Sequence, residues 1–218
     1  MSCFYNHQMN FLEKYGLKLI LIFILLVSYS ITAQSKTLLI LGDSISAGYG
    51  IKEADNWVAL LQKNYAARDL DIKIINSSIS GDTTIGGLGR IKRDLSLFSP
   101  SHILIELGGN DALRGYPIDS IKKNLSTTIE LIKKNGSLPI LMQIRIPPNY
   151  GKRYVEAFEK IYQELSFEQD IPLVEFMLQN IALNKNLMQL DGIHPNQKAQ
   201  SLIASEVQKS LAKIIENP

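Results

Sequence analysis

The stretch "TLLILGDSIS" at residues 37–46 joins an unbroken apolar run to a polar turn that contains glycine. A continuous apolar run, rather than an alternating one, is typical of a strand that is covered on both faces. A serine on a tight turn directly after such a strand has its hydroxyl raised above the sheet and its N–H exposed at the start of a helix. The stretch therefore predicts a buried first strand that ends in a polar turn.

Four more apolar runs follow, and amphipathic segments separate them. Helical spacing of apolar residues occurs at 118–132 and 155–165, and a last helix is predicted to begin at Pro195, a favoured first helical residue. This alternation predicts one α/β domain with a parallel sheet and helices on both sides. The runs are "IKIINS" (72–77), "HILIELG" (102–108), "LPILMQI" (138–144) and "IPLVEF" (171–176).

The first 33 residues have the pattern of a secretory signal peptide. Lys14 and Lys18 precede the apolar run "LILIFILLV" (19–27), and the small residue Ala33 offers a cleavage position. The apolar run is shorter than the roughly 20 residues needed to cross a bilayer, although an uncleaved N-terminal anchor is the alternative. We therefore expect a folded domain at 34–218, with no stable membrane span after processing and a periplasmic or secreted location.

The composition of the mature chain excludes several classes of function. Its only cysteine, Cys3, lies in the leader, so disulfides, thiol catalysis and cysteine-ligated metals are not expected. Without Lys14, Lys18 and Glu13 of the leader, the 23 basic and 21 acidic residues become 21 and 20. A net charge of +1 argues against a nucleic-acid partner, which normally needs a strongly basic face.

Polar, glycine-containing turns follow each of the first three predicted strands. They are "GDSIS" (42–46), "SISGDT" (78–83) and "GGNDALRG" (108–115). With the strand order 2-1-3-4-5, the first and third turns flank the crevice where strand order reverses, and the second lies beside it. Ser44 is the candidate nucleophile at this place. The alternative is that "GDS" is an Asx turn with an ordinary helix cap.

The segment "DGIHPN" (191–196) can supply the partners that a serine nucleophile needs. A serine hydroxyl reacts poorly unless a base accepts its proton and an acid orients that base. His194 is the candidate base, and Asp191 can reach its other ring nitrogen. A histidine that caps the last helix is the alternative, while metal ligation lacks partner residues.

Three groups are candidates for stabilising the oxyanion that forms in acyl transfer. They are the N–H of Ser44, the N–H of Gly81 and the side-chain amide of Asn110. Gly81 suits a place where the backbone approaches a ligand closely. Asn110 follows an apolar strand directly, although an Asx turn is the alternative reading.

Together, "GDSIS", "SISGDT", "LGGND" and "DGIHP" resemble, in order and spacing, the GDSL (SGNH) hydrolases. The resemblance covers about 36–215. It implies a three-layer flavodoxin-like fold with a five-stranded parallel sheet of order 2-1-3-4-5, a Ser44–His194–Asp191 triad, an oxyanion hole from Ser44, Gly81 and Asn110, and a structural role for Gly42 and Asp43. The sequence departs from the family pattern at Ile45, where the signature has leucine, and at Leu190, where a polar residue is expected.

The resemblance also narrows the expected substrate. The chain is similar to the branch of the family that comprises periplasmic thioesterases, lysophospholipases and arylesterases, which implies acyl esters, fatty acyl thioesters or lysophospholipids as substrates. It implies no metal or organic cofactor, and we expect a monomer. In similar enzymes the loop "RIPPNYG" (145–151) lines the acyl path, and a rigid connector is the alternative. Its substrate-binding candidates are Arg145, Ile146, Pro147 and Tyr150.

Two rival functions remain open at this point. One is a carbohydrate acetylesterase on the same fold, which would prefer acetate over longer acyl chains. The other is a binding module without catalytic activity, which would not react with an organophosphonate probe.

Overall fold

The computed structural model describes residues 36–216. The signal-peptide prediction for the first 33 residues lies outside this range and stays a prediction. Within the range, no helix has both the length and the apolar character needed to cross a membrane.

One parallel sheet of five strands forms the centre of the molecule. The strand order is β2-β1-β3-β4-β5, which confirms the predicted order. The first strand lies between β2 and β3, with Leu39 opposite both Ile75 and Ile103. The strands are β1 (Lys36–Gly42), β2 (Ile72–Asn76), β3 (His102–Glu106), β4 (Leu138–Met142) and β5 (Leu173–Val174).

Helices cover both sides of this sheet. Within the described range they are α1 (Ser44–Ala47), α2 (Trp57–Ala66), α3 (Thr84–Phe98), α4 (Gly109–Leu113), α5 (Ile118–Lys134), α6 (Lys152–Gln169) and α7 (Gln200–Leu211). Helix α2 packs against α7, whereas α3 packs against α5 and α5 against α6. The helices predicted at 118–132 and 155–165 are confirmed. The first begins at the predicted residue and ends two residues later, and the second extends beyond the predicted range at both ends.

The apolar run of β1 lies at the centre of the core. All four side chains of Leu38–Leu41 are fully buried, because helices cover both faces of the strand. Each fully buried aliphatic side chain of this size contributes about 1.5–3 kcal/mol. The predicted reason for the continuous apolar pattern is therefore confirmed, and the strand gives the turn that follows it a rigid base.

The start of the last helix differs from the prediction. Pro195 is not a helical residue, because it pairs with Met188 in an isolated β-bridge. The N–H of Asn196 donates to the carbonyl of Leu187, which keeps the chain extended, and the Asn196 side chain caps a 3₁₀ turn at Gln197–Ala199. The helical path therefore begins two residues later than predicted, and the bridge holds the segment with His194 beside the 187–189 segment.

Candidate active site

The turn after β1 presents Ser44 at the N-terminus of a short helix. The carboxylate of Asp43 accepts from the N–H of Ile45 at 3.1 Å and so caps α1, whose first residue is Ser44. The N–H of a first helical residue has no acceptor within its own helix. Gly42 permits the close packing of this turn, since a Cβ there would lie 2.6 Å from Oε2 of Glu106. The turn thus exposes both a hydroxyl and a backbone donor.

The imidazole of His194 connects Ser44 with Asp191. Nε2 of His194 lies 2.8 Å from Oγ of Ser44, across 150 positions of the chain. Nδ1 lies 2.7 Å from Oδ2 of Asp191. With the proton on Nδ1, the ring donates to the carboxylate and Nε2 is free to accept the proton of the serine hydroxyl. The three residues therefore have the geometry of a nucleophile, a base and an orienting acid.

Backbone donors hold the Asp191 carboxylate in the ionised form. Burial opposes ionisation, but hydrogen bonds from the His194 backbone, the imidazole and the Ile193 backbone lower the pKa of Asp191 to about 2. The two backbone N–H groups both donate to Oδ1, at 2.9 Å and 3.0 Å. Oδ2 is therefore left to orient the imidazole.

The ring of Tyr49 packs against the imidazole of His194. The centroids of the two rings are 4.5 Å apart, with an interplanar angle of 37°. The side chain of Gln189 donates to the Tyr49 carbonyl at 2.8 Å and to the Pro195 carbonyl at 3.1 Å. Its backbone N–H also donates to the carbonyl of His194 at 2.7 Å. Gln189 thus connects the segment after Ser44 with the segment that carries the imidazole.

The two other candidate oxyanion donors are brought together by one carboxylate. Asp111, next to Asn110 on α4, accepts from the N–H and the hydroxyl of Thr84 at 2.9 Å and 2.6 Å. Thr84 begins α3 directly after the turn that contains Gly81, whose φ of 80° suits glycine. The carbonyl of Gly81 accepts from Arg114 at 3.1 Å. These contacts place Gly81 and Asn110 in the wall of the same cavity as Ser44.

Two buried carboxyl groups lie beneath these donors. Asp43 accepts from the side-chain amide of Asn110 at 3.0 Å. Glu106 accepts at Oε2 from the N–H of Asp43 at 3.2 Å and from the hydroxyl of Ser46 at 2.7 Å. Burial raises the pKa of Asp43 to about 6, against the lowering effect of the Ile45 N–H, His194 and Asn110. Burial and the nearby Asp43 charge raise the pKa of Glu106 well above its usual range.

A cavity of about 780 Å³ opens beside the serine, within the usual volume range of small-molecule sites. Ser44, Gly81, Asn110 and His194 line one end of it, and Asp191 lies behind the imidazole. Apolar side chains form much of the remaining wall, among them Leu113, Ile144, Leu178, Ala182 and Met188.

The loop after β4 contributes part of this wall. Arg145, Ile146 and Pro147 line the cavity as expected. Tyr150 is not among its lining residues, because the 3₁₀ turn Pro148–Tyr150 carries that side chain to a half-exposed position. Leu190, the departure noted next to Asp191, is fully exposed.

Sequence reasoning missed three residues that hold the site. Glu106 could have been suspected, because it is a carboxyl group directly after the apolar residues Ile103–Ile105 of a strand. Tyr49 and Gln189 carry no such signal, since their importance depends on contacts across 140 positions or more. Among residues 36–216, no group of three or more His, Cys, Asp or Glu is placed to hold a metal ion.

Comparisons with known proteins identify the family of the chain. The family model for GDSL-like lipases and acylhydrolases matches residues 40–202. The thioesterase 1/protease 1/lysophospholipase L1 of Escherichia coli K12 is 41% identical over 208 residues, which is 95% of this chain and 98% of the relative. The arylesterase of Vibrio mimicus is 45% identical over 179 residues, covering 82% and 90%.

A solved structure is similar to this chain in fold as well as in sequence. It is the psychrotrophic esterase EstA from Pseudoalteromonas sp., inhibited by monoethylphosphonate. The sequences are 43% identical, the TM-score is 0.82, and the match covers 84% of this chain and all of that one.

Proposed function

As a member of the GDSL-like lipase/acylhydrolase family, the chain is a hydrolase of carboxylic esters, and we propose that Ser44, His194 and Asp191 are its catalytic triad. The observation that carries this assignment is the unbroken contact from the Ser44 hydroxyl through the imidazole to the carboxylate, at 2.8 Å and 2.7 Å. A serine nucleophile needs both partners in this order.

The reaction proceeds through an acyl-enzyme. Ser44 Oγ attacks the acyl carbon while Nε2 of His194 takes its proton. The imidazolium then gives that proton to the departing alcohol or thiol, and the bond from the acyl carbon to the leaving oxygen or sulfur breaks. Water then attacks the acyl carbon of the acyl-enzyme, with its proton going to the same nitrogen. The bond from that carbon to Ser44 Oγ breaks, the imidazolium returns the proton to Oγ, and the carboxylic acid leaves. Asp191 stabilises the imidazolium in both steps.

The oxyanion that forms in each step is held by three donors. They are the N–H groups of Ser44 and Gly81 and the amide of Asn110. The amide uses one donor to reach Asp43 at 3.0 Å, which leaves its second N–H for the substrate oxygen. Each such donor contributes about 10²–10³ in rate.

The cavity supports an acyl ester or thioester with an extended apolar chain as substrate. Its wall away from Ser44 is largely apolar, and Arg145, Ile146 and Pro147 border it as substrate-binding residues. Tyr150 belongs to the same loop but does not line the cavity. Lysophospholipids belong to the same proposal, because their single acyl chain fits such a wall. A periplasmic or secreted location is part of the proposal and rests on the leader pattern of residues 1–33. The proposal also includes a monomeric enzyme.

Labelling by an organophosphonate tests the nucleophile. A fluorophosphonate forms one covalent adduct, on the peptide that contains Ser44, when the purified protein is digested and analysed by mass spectrometry. Ser44→Ala abolishes the adduct and lowers kcat by at least ~10³, because the triad acts as a unit. An adduct that persists in Ser44→Ala would refute the assignment. No adduct on the wild type would favour the binding module.

A chain-length series tests the substrate class. We expect kcat/KM for nitrophenyl esters to rise from acetate to medium chains, because each buried methylene contributes about 0.8 kcal/mol. A steep optimum at acetate would overturn the lipid assignment in favour of a carbohydrate acetylesterase.

A further inference from the structure

Glu106 is a buried carboxyl group that the proposed reaction does not use. Its side chain is 2% exposed and lies directly after the apolar residues Ile103–Ile105 of a strand, at the base of the cavity. Among the described residues, no lysine, arginine or histidine forms an ion pair with it. A buried carboxylate without a cation is costly, so the group is expected to be neutral.

The contacts of Glu106 identify where its proton goes. Oε2 accepts from the Asp43 N–H and from the Ser46 hydroxyl, which uses that oxygen as an acceptor. Glu106 also forms a side-chain hydrogen bond with Asp43, which is one of the contributions to its raised pKa. Two carboxyl groups can share such a bond only when one of them carries a proton, and Glu106, the more deeply buried of the two, is expected to carry it and to donate it to the Asp43 carboxylate. The buried position and the raised pKa of Glu106 agree with this protonation.

Asp43 connects Glu106 with the oxyanion hole. Its carboxylate accepts from the Ile45 N–H through Oδ1 and from the Asn110 amide through Oδ2. Because a carboxylate held by donors on several sides cannot rotate, the Asn110 amide is fixed as well. His194 and Asp82 act electrostatically on Asp43, and the Arg90 side chain donates to the Gly42 carbonyl nearby.

We propose that Glu106 is a positioning residue that donates its proton to Asp43 and thereby fixes the Asn110 amide for oxyanion binding. The proposal rests on the proposed function, because Asn110 matters only if an oxyanion forms at Ser44. It gives a role to a glutamate that follows three apolar residues of a buried strand.

A set of three variants tests the proposal. Glu106→Gln keeps the shape of the side chain and still donates, through its amide, to Asp43, so we expect kcat within about threefold of wild type. Glu106→Met approximates the volume but removes the donor to Asp43 and also the acceptor of the Asp43 N–H and the Ser46 hydroxyl. We expect kcat to fall about 10–100-fold with KM unchanged, because a loosened Asn110 amide mainly weakens the stabilisation of the transition state. Ser46→Ala removes the other Glu106 contact and serves as the matched control, with kcat within about threefold.

A double mutant that combines Glu106→Met with Asn110→Ala distinguishes a positioning role of Glu106 from a general structural role. In an Asn110→Ala background, Glu106→Met should lower kcat by less than about threefold, because its target is already absent. Full additivity of the two losses would overturn the proposal. So would a Ser46→Ala loss as large as that of Glu106→Met, or inactivity of folded Glu106→Gln.

A stability measurement covers the case in which Glu106→Met does not fold. If Glu106 is neutral in the folded protein, Glu106→Gln should have the same or a higher Tm than wild type at pH 7–9. A Tm lowered by several degrees at these pH values would show that the charge is needed and would overturn the proposal. This readout does not depend on hydrolysis, so it stands even if phosphonate labelling disproves the nucleophile.

Discussion

Replacing Asp191 with asparagine should disable the imidazole by locking it in the wrong tautomer. The backbone N–H groups of Ile193 and His194 both donate to Oδ1 of Asp191, so an asparagine must present its carbonyl oxygen to them. Its NH₂ group then faces Nδ1 of His194, which must become an acceptor. The ring proton moves to Nε2 and points at Ser44, and the serine can no longer transfer its proton.

The structure sets the size of the effect. Restoring the correct tautomer requires the amide to flip, which leaves two backbone N–H groups without an acceptor at about 1–3 kcal/mol each. A total of about 2–6 kcal/mol corresponds to about 30- to 20,000-fold in rate. The Asp191 side chain is 38% exposed, so water can replace part of the lost contact. We therefore expect a loss of kcat of about 10²–10³ for Asp191→Asn.

Initial rates on a nitrophenyl ester measure this loss, with circular dichroism to verify folding. Asp191→Ala is the matched variant, since it removes the acceptor without enforcing the wrong tautomer. We expect Asp191→Asn to be at least as impaired as Asp191→Ala. An Asp191→Asn enzyme within tenfold of wild type, or one clearly more active than Asp191→Ala, would refute the reasoning.

Three more predictions concern the surroundings of the triad. Asn110→Ala should lower kcat by ~10²–10³ with a modest change in KM, as steady-state kinetics will measure, and a loss of tenfold or less would reduce it to a turn residue. Gln189→Met removes the donors to the carbonyls of Tyr49 and Pro195 and should lower kcat about tenfold without moving KM; unchanged kcat would mean that the bridge Met188–Pro195 holds the imidazole alone. The pKa of Asp43 is about 6 in the folded protein against 3.8 ordinarily, so the folded state binds the Asp43 proton more tightly than the unfolded state does. The stabilisation that comes from this bound proton is lost as pH rises from about 4 to about 6. In urea unfolding, Asp43→Asn should therefore gain stability relative to wild type over that interval, and a relative loss would contradict the assignment.

The sheet was predictable because its signals are local. The apolar run at Leu38–Leu41 reflects burial of the strand on both faces, and the polar residues that follow indicate where the strand ends. The edge strand β5 was less predictable, because only Leu173–Val174 pair with β4, over a far shorter stretch than the apolar run 171–176. Apolar character extends past the last ladder hydrogen bond, so the sequence overstates the length of an edge strand.

The site was predictable where chemistry demands a particular residue type. Ser44, Asp191 and His194 are recognisable because few other side chains can act as nucleophile, acid and base, although their role here stays a proposal. The predicted start of the last helix was wrong, because the hydrogen bond from the Asn196 N–H to the Leu187 carbonyl outweighs the preference of Pro195 for a first helical turn. The role of Gln189 could not be predicted for a similar reason. Its partner Tyr49 is 140 positions away, and no local pattern reports such a contact.

The 150 positions between the serine hydroxyl and its proton acceptor have a consequence for biosynthesis. Under the proposed mechanism, a chain synthesised from its N-terminus contains Ser44 early, but the serine gains its base only when the segment that carries His194 has docked. A nick that releases this segment should therefore stop ester hydrolysis. Ester hydrolysis should accordingly report completed folding, and an unfinished polypeptide should not yet hydrolyse acyl compounds.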